Sequence, residues 1–192
     1  MATLRTYKTE GIVLKRTNFG EADKIVTFYT KDYGKLVALA KGVRRLTSRK
    51  RGSLEIFNQV VFFAAKGKSL DIITEVETRQ TYSQWRKDLK KVGAAYEMAE
   101  MVDRLTAEGS EQKEIYELLC SYLQRLKTTS KQNLPLFVNS FGQSLLRYLG
   151  FWPKNKSFPA NFNVEVKIEE IIERELMSKR FLLLPEAGLT RP

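Results

Sequence analysis

The chain contains no histidine. That absence removes imidazole acid–base catalysis, the Ser-His-Asp arrangement and every histidine-based metal site. A single cysteine, Cys120, leaves neither a disulfide framework within one chain nor a zinc ribbon. Such sparse cysteine suits a reducing interior, so the expected compartment is the cytoplasm. Long apolar runs are missing as well. The longest, Val60 to Ala65, is far too short to cross a bilayer, and Met1 to Arg5 lacks the layout of a signal peptide. No basic amphipathic helix keeps an apolar face free, so no membrane partner is expected.

What is present describes a globular protein: 192 residues, 43% apolar and 29% charged, enough for one large or two small cores. Lys and Arg number 33 against 22 Asp and Glu, and the resulting +11 favours an anionic partner. The excess is uneven. Residues 1–80 hold 16 basic and 8 acidic residues (+8), whereas 81–192 hold 17 and 14 (+3).

From Thr9 to Tyr82 apolar residues alternate, as in half-buried strands: Ile12 and Leu14; Ile25, Thr27 and Tyr29; Leu36, Ala38 and Ala40. A fourth strand is predicted over Ile56 to Ala65 and a fifth over Leu70 to Tyr82, with Leu70, Ile72, Thr74 and Val76 on one face. Asn18-Phe19-Gly20, Asp32-Tyr33-Gly34 and Lys66-Gly67-Lys68 supply short links, and Gly42 to Ser53 a long one. Five short strands with one long loop fit the OB fold, a five-stranded barrel that binds oligonucleotides across one face.

Beyond Ser83 the period becomes helical. A first helix is expected over roughly Gln84 to Ala107, packing Leu89, Val92, Tyr96 and Ala99. A second, capped by Ser110, carries Ile115, Leu118, Leu119, Tyr122, Leu123 and Leu126 on one stripe. A third runs from Leu134 to Leu149, ended by Gly150 and Pro153. A polar linker over Lys154 to Asn163 then precedes a fourth stripe, Val164, Ile168, Ile171, Ile172 and Leu176. The expected class is therefore α+β: an OB-fold barrel over residues 1–82, a helical domain over 83–184, and a frayed tail over 185–192.

The densest feature is Lys41, Arg44, Arg45, Arg49, Lys50 and Arg51, six cations in eleven residues without one acid. Their repulsion would be relieved by phosphates through release of condensed counterions; a solvated charge run is the plainer alternative. Phe28, Tyr29, Tyr33, Phe57, Phe62 and Phe63 offer stacking platforms nearby, although alternation leaves only one or two facing outward. Lys35, Lys66 and Lys68 are counted with the same surface. Lys66-Gly67-Lys68-Ser69 is not a P-loop, because the required earlier glycine falls at Phe62 and no helix follows. Glu21 with Asp23, or Glu75 with Glu77, could carry a magnesium-dependent nuclease, but such pairs at turns and on solvated strand faces are ordinarily structural. An OB-fold RNA- or ribosome-associated protein and an adaptor for acidic partners also fit the charge.

Gly11-Ile-Val-Leu14, Gly20-Glu21 through Phe28-Tyr29-Thr30, Gly34-Lys35 and Ala40-Lys41-Gly42-Val43-Arg44-Arg45 together resemble the N-terminal barrel of the RecO family. The resemblance returns at Leu145 to Gly150 and at Met177 to Phe181. It implies a non-enzymatic DNA-repair protein, bacterial and nucleoid-associated, without cofactor or small-molecule substrate. Such a protein binds single- and double-stranded DNA, anneals strands coated with single-strand-binding protein, receives that protein's acidic tail on its helical domain, and with RecR helps load RecA. On matching positions Lys41, Arg44 and Arg45 would contact DNA, with Arg49, Lys50 and Arg51 extending the path. Many members insert a cysteine-rich zinc module after the Leu-Gly ending the third helix, but Phe151 to Asn163 contains no cysteine. The helical domain is thus expected to stand without zinc. A basic residue often precedes the aromatic at Phe141, where this chain has Asn139 and Ser140.

Overall fold

The computed structural model describes residues 6–173 and residue 176. It opens with five strands, β1 (Thr6–Phe19), β2 (Asp23–Thr30), β3 (Gly34–Ala40), β4 (Gln59–Ala65) and β5 (Asp71–Gln80). They close into a barrel in the order β1-β2-β3-β5-β4. Every pairing is antiparallel except β3 with β5. The long β1 serves both sides of the barrel: Thr6 to Ile12 pair with β4 and Gly11 to Phe19 with β2. Inside, Phe28 stacks on Phe62 with ring centroids 4.5 Å apart, among Val13, Val26, Val60 and Ile73.

Two strand details differ from the alternation. In β5 the buried residue is Ile73, not Ile72 or Thr74. Phe63 partners Glu75 while Ala64 partners Ile73, so Thr74 is an extra residue in a bulge, and Ile73 and Val76 pack against the same core. β4 begins at Gln59 rather than Ile56. Phe57 takes φ 69 and its N–H donates to Val13 O at 2.8 Å, which turns the chain before the strand starts.

Four helices follow, α1 (Leu89–Leu105), α2 (Lys113–Arg125), α3 (Leu134–Tyr148) and α4 (Val164–Ile172), with a 3-10 turn at Lys131–Asn133. α1 starts later than the periodicity predicts, because Asp88 caps it by accepting the N–H groups of Lys90 (3.1 Å) and Lys91 (3.4 Å). Leu89, expected in the core, is 78% exposed. α1 instead buries Gly93, Ala94, Ala95, Met98, Met101 and Val102, a surface wider than one stripe, because it packs on both β1 and α3. Ser110 does not cap α2; Gln112 stands at that position without a side-chain bond. Ser110 instead closes over Gly34 (φ 60), where a Cβ would lie 1.9 Å from Ser110 O. Gly142 on α3 has the same kind of reason: a Cβ there would meet Val164 Cγ1 at 2.1 Å.

Barrel and helices share a core. Ile12, Leu14, Tyr29 and Phe57 join Met98, Ile115, Leu119 and Phe141 in one cluster. Beside it the Gln59 amide donates to Glu10 (2.8 Å) and to the Tyr116 hydroxyl (3.0 Å) and accepts from the Tyr82 hydroxyl (3.0 Å). Cys120 adjoins both tyrosines, and burial pushes its thiol up to about 11, so it stays protonated at neutral pH. The expected linker is not featureless: Trp152 stacks on Phe158 (4.6 Å) and meets Phe162 edge-on (4.9 Å), with the Arg147 guanidinium 4.7 Å from the Phe158 ring. Among the described residues no helix is long and apolar enough to cross a membrane. The resembling string Met177 to Phe181 and the tail 185–192 lie outside the described residues.

Candidate nucleic-acid interface

The 41–58 connection is irregular yet fastened at several points. Gly42 N–H donates to Asp23 Oδ1 (2.7 Å) and Arg44 N–H to Ala22 O (2.9 Å), which bind its start to the β1–β2 turn. Val43 and Leu54 are buried in the barrel core. At its end the Asn58 amide donates to Gly52 O and Ser53 O, both at 3.0 Å, and the Arg86 guanidinium reaches Ile56 O (2.9 Å) and Asn58 Oδ1 (2.8 Å). These ties hold a loop of like charges in one shape.

Lys41, Arg44, Arg45, Arg49 and Arg51 are all exposed on that loop. Among the described residues none of them has an ion-pair partner. Arg44 braces the loop by donating to Gly20 O at 3.1 Å, and the rest of its guanidinium fork remains. Lys50 differs: its ammonium donates to Ile73 O at 3.1 Å, and burial lowers its pKa. It is a strut between loop and β5. The structure adds a cation that sequence reading missed. Lys24 on β2 has its pKa lowered by burial and then by the nearby Arg16, with Arg44 and Arg51 contributing. Arg16 is paired with Glu55. Cross-strand placement on the outward face was the available signal for Lys24.

Three other expected contacts are set differently. Lys35 is engaged within the protein: its ammonium donates to Asp103 O (2.6 Å) and Asp103 Oδ1 (3.3 Å) and ties β3 to α1. Lys66 meets Asp71 Oδ2 at 2.9 Å and lies over the Tyr7 ring at 4.8 Å. Burial alone would raise the Asp71 carboxyl, but hydrogen bonds from Tyr7, Lys66 and Gly67 N–H outweigh it and hold the group below its usual range. Lys68 is exposed in the same turn. That turn leads into β5 beside the end of β3, where Ala38 partners Asp71.

Of the six aromatics, Phe28, Tyr29, Phe57 and Phe62 are buried, leaving Tyr33 (37% exposed) and Phe63 (38%). Tyr33 packs edge-on against Tyr7, and Phe63 lies beneath Lys8 at 5.5 Å. Neither belongs to the loop or to the β1–β2 turn that anchors it. Asp23 accepts from the loop and Glu77 lies 3.7 Å from Arg79. Among the described residues no group of three acidic or cysteine side chains is placed to hold a metal ion. A second basic cluster escaped the charge tally because the acids of the other helices mask it. Lys91 Nζ donates to Lys127 O (3.0 Å) and Trp85 Nε1 to Leu123 O (2.8 Å), joining the start of α1 to the end of α2. Lys87, Lys127 and Arg125 stand exposed there, near the exposed Leu89.

Comparison with known families matches residues 1–82 to "Recombination protein O N terminal" and residues 86–157 to "Recombination protein O C terminal". Among curated proteins, the chain is 36% identical over 150 residues to the "DNA repair protein RecO" of Roseiflexus sp. (strain RS-1), covering 78% of this chain and 52% of that one. It is 31% identical over 183 residues to the "DNA repair protein RecO" of Desulfitobacterium hafniense (strain DSM 10664 / DCB-2), covering 95% and 62%. For the protein of the same name from Nostoc punctiforme the values are 41% over 129 residues, 67% and 43%. The chain thus spans roughly half the length of the curated relatives it matches. Residues 151–163, where the family resemblance implies a zinc module, do not fit that metal, having no cysteine or histidine and an aromatic stack instead.

Proposed function

The chain belongs to the RecO family, and from that premise we propose that it is a non-enzymatic DNA-binding recombination mediator acting in DNA repair. The observation that supports this most is the fastened loop whose exposed cations Lys41, Arg44, Arg45, Arg49 and Arg51 have no ion-pair partner among the described residues. Phosphates are the ligand that such a constellation suits. Binding releases counterions, and the protein meets the backbone without reading sequence. Lys24 and Lys68 extend the path.

In this reading the chain binds single- and double-stranded DNA, brings complementary strands together, and acts with RecR in loading RecA. The acidic tail of single-strand-binding protein docks on the helical region, where Lys87, Lys127 and Arg125 supply positive charge and Leu89 an apolar contact. The principal test is binding to a single strand, a duplex and RNA of equal length at several salt concentrations. If roughly four cations reach phosphates, the logarithm of single-strand affinity falls against log salt with a slope near about −3. Slope and affinity that ignore salt, or a clear preference for RNA, would remove the reading. Titration with the acidic tail at low salt tests the partner; no binding there discards it.

A further inference from the structure

Two apolar side chains stand in water on the most cationic part of the surface. Leu46 is 91% exposed and Phe19 is 50% exposed, while Phe28, Phe62, Val26 and Ile73 of the same barrel are fully buried. Leu46 sits among Arg44, Arg45, Thr47, Ser48 and Arg49. Successive turns, Arg45 N–H to Gly42 O (3.1 Å) and Ser48 N–H to Arg45 O (3.0 Å), hold it at the tip of the loop. Phe19 is the last residue of β1, immediately before Gly20, whose φ of 54 makes the hairpin turn. The two tips are fastened to each other, because Arg44 donates from its guanidinium to Gly20 O and from its backbone to Ala22 O.

Cations alone suffice for phosphates, so these two side chains, placed at the tips of the cationic loop and of the turn that anchors it, are free to meet another part of the same ligand. A protein partner would call for a contiguous apolar patch, and here there are only two isolated side chains ringed by charge. A duplex hides the faces of its bases, and a shallow rim meets only its backbone. An unpaired strand offers both parts at once: phosphates for the arginines and base faces for a ring and a branched alkyl group, with guanidinium planes beside them.

We propose that Phe19 and Leu46 are the base-contacting part of the interface, Phe19 stacking on an unpaired nucleobase and Leu46 packing against another, so that this rim favours single strands over duplex. The inference rests on the reading of the loop as a nucleic-acid interface and supplies what that reading lacks, a reason for strand preference. The same two side chains would hold bases splayed from their stack, the state from which a strand meets its complement.

The test compares the full chain with Phe19→Ala, Leu46→Ser and the double variant, on a thymine single strand, the same strand with abasic sites, and a matched duplex. Both side chains are exposed, so the fold should persist, and melting of each variant checks it. The double variant should lose about five-fold to about a hundred-fold in single-strand affinity, the range of one base–aromatic stack. Its salt slope and duplex affinity should stay unchanged. Abasic strand should bind wild type and variant alike. A 2-aminopurine in the strand should change emission on binding wild type but not Phe19→Ala. Unchanged single-strand affinity and an unchanged single-to-double ratio in a folded double variant overturn the inference while leaving the cationic interface standing. If the variants lose affinity for anionic lipid vesicles and none for single strands, the side chains serve a membrane instead, and the inference fails. If wild type binds no nucleic acid, the interface itself falls and this inference with it.

Discussion

Two basic connections flank the barrel, one leaving β3 beside the β1–β2 turn and one entering β5 beside Tyr7, and they place their cations differently. In the 66–68 turn, Lys66 is held by Asp71 at 2.9 Å and by the Tyr7 ring at 4.8 Å. In the 41–58 connection, backbone bonds and the buried Val43 and Leu54 do the holding, and among the described residues five guanidinium or ammonium groups there face water without a carboxylate partner. Where the main chain and apolar anchors fix a loop, its charges remain available to a ligand. Where a lysine itself fixes the turn, its charge is already neutralised. Counting Lys and Arg along the sequence cannot separate the two cases; the partner of each ammonium does.

The largest effect expected from that contrast is on DNA binding. Replacing Lys41, Arg44 and Arg45 by Ala should flatten the single-strand salt slope by about 2 and lower affinity at moderate salt by at least about ten-fold, for every sequence alike. These positions lie outside the core, and their removal relieves repulsion, so the fold should survive. Fluorescence anisotropy across a salt series measures both quantities. A folded triple variant with unchanged affinity and slope would make the loop a solvated face and dissolve the contrast.

The next effect falls on stability instead. Lys35 was grouped with the DNA-binding cations by sequence, yet its side chain is only 15% exposed and bridges β3 to Asp103 at the end of α1. Lys35→Ala should destabilise the chain by about 1.5–3 kcal/mol, the range for a hydrogen bond to a charged group, while DNA affinity holds. Urea denaturation beside anisotropy separates the two outcomes. A loss of affinity without loss of stability would return Lys35 to the interface.

The barrel was legible because alternation survives in β1, β2 and β3, and the cation loop because a run of six basic residues without an acid is visible in one dimension. What the sequence hid has identifiable causes. The Thr74 bulge shifts the period of β5 by one residue, and the left-handed Phe57 delays β4. α1 looked amphipathic, but its residues meet the barrel on one side and α3 on the other, so small residues rather than Leu89 line its contacts. The partners of Lys35 and Lys66 were hidden because Asp103 lies 68 residues from Lys35 and Tyr7 lies on another strand from Lys66. Phe19 passed unnoticed since it read as part of a turn.

A smaller effect should follow pH. The Asp71 carboxyl is held below its usual range, so its contribution is present above the unfolded value of about 3.9 and is lost as pH falls through the lower folded value. Asp71→Asn should therefore cost about 1 kcal/mol at neutral pH, discounted because Lys66 is 61% exposed, and the gap from wild type should close as pH falls through the lowered folded value. Denaturation series at neutral and acid pH measure the gap. A gap that stays constant across that range would show that the carboxylate charge does not hold the turn.

The smallest effect concerns the 66–68 turn itself. Lys66 is engaged by Asp71 and Tyr7, so removing it takes away little charge that a phosphate could use and exposes the Asp71 carboxylate in its place. Lys68 is exposed and reaches at most one phosphate. The pair Lys66→Ala with Lys68→Ala should thus change the salt slope by no more than about 0.7, the single-strand value for one contact, and lower affinity less than about five-fold. Two further measurements guard this reading. Lys68→Ala alone should reproduce most of the change in slope, and Lys66→Ala alone should lower the melting temperature slightly while leaving the slope in place. If Lys66→Ala instead flattens the slope as much as the loop variant does, then phosphates displace Asp71 from the ammonium on binding. The two turns would then differ only in the free protein, and both would belong to one DNA path.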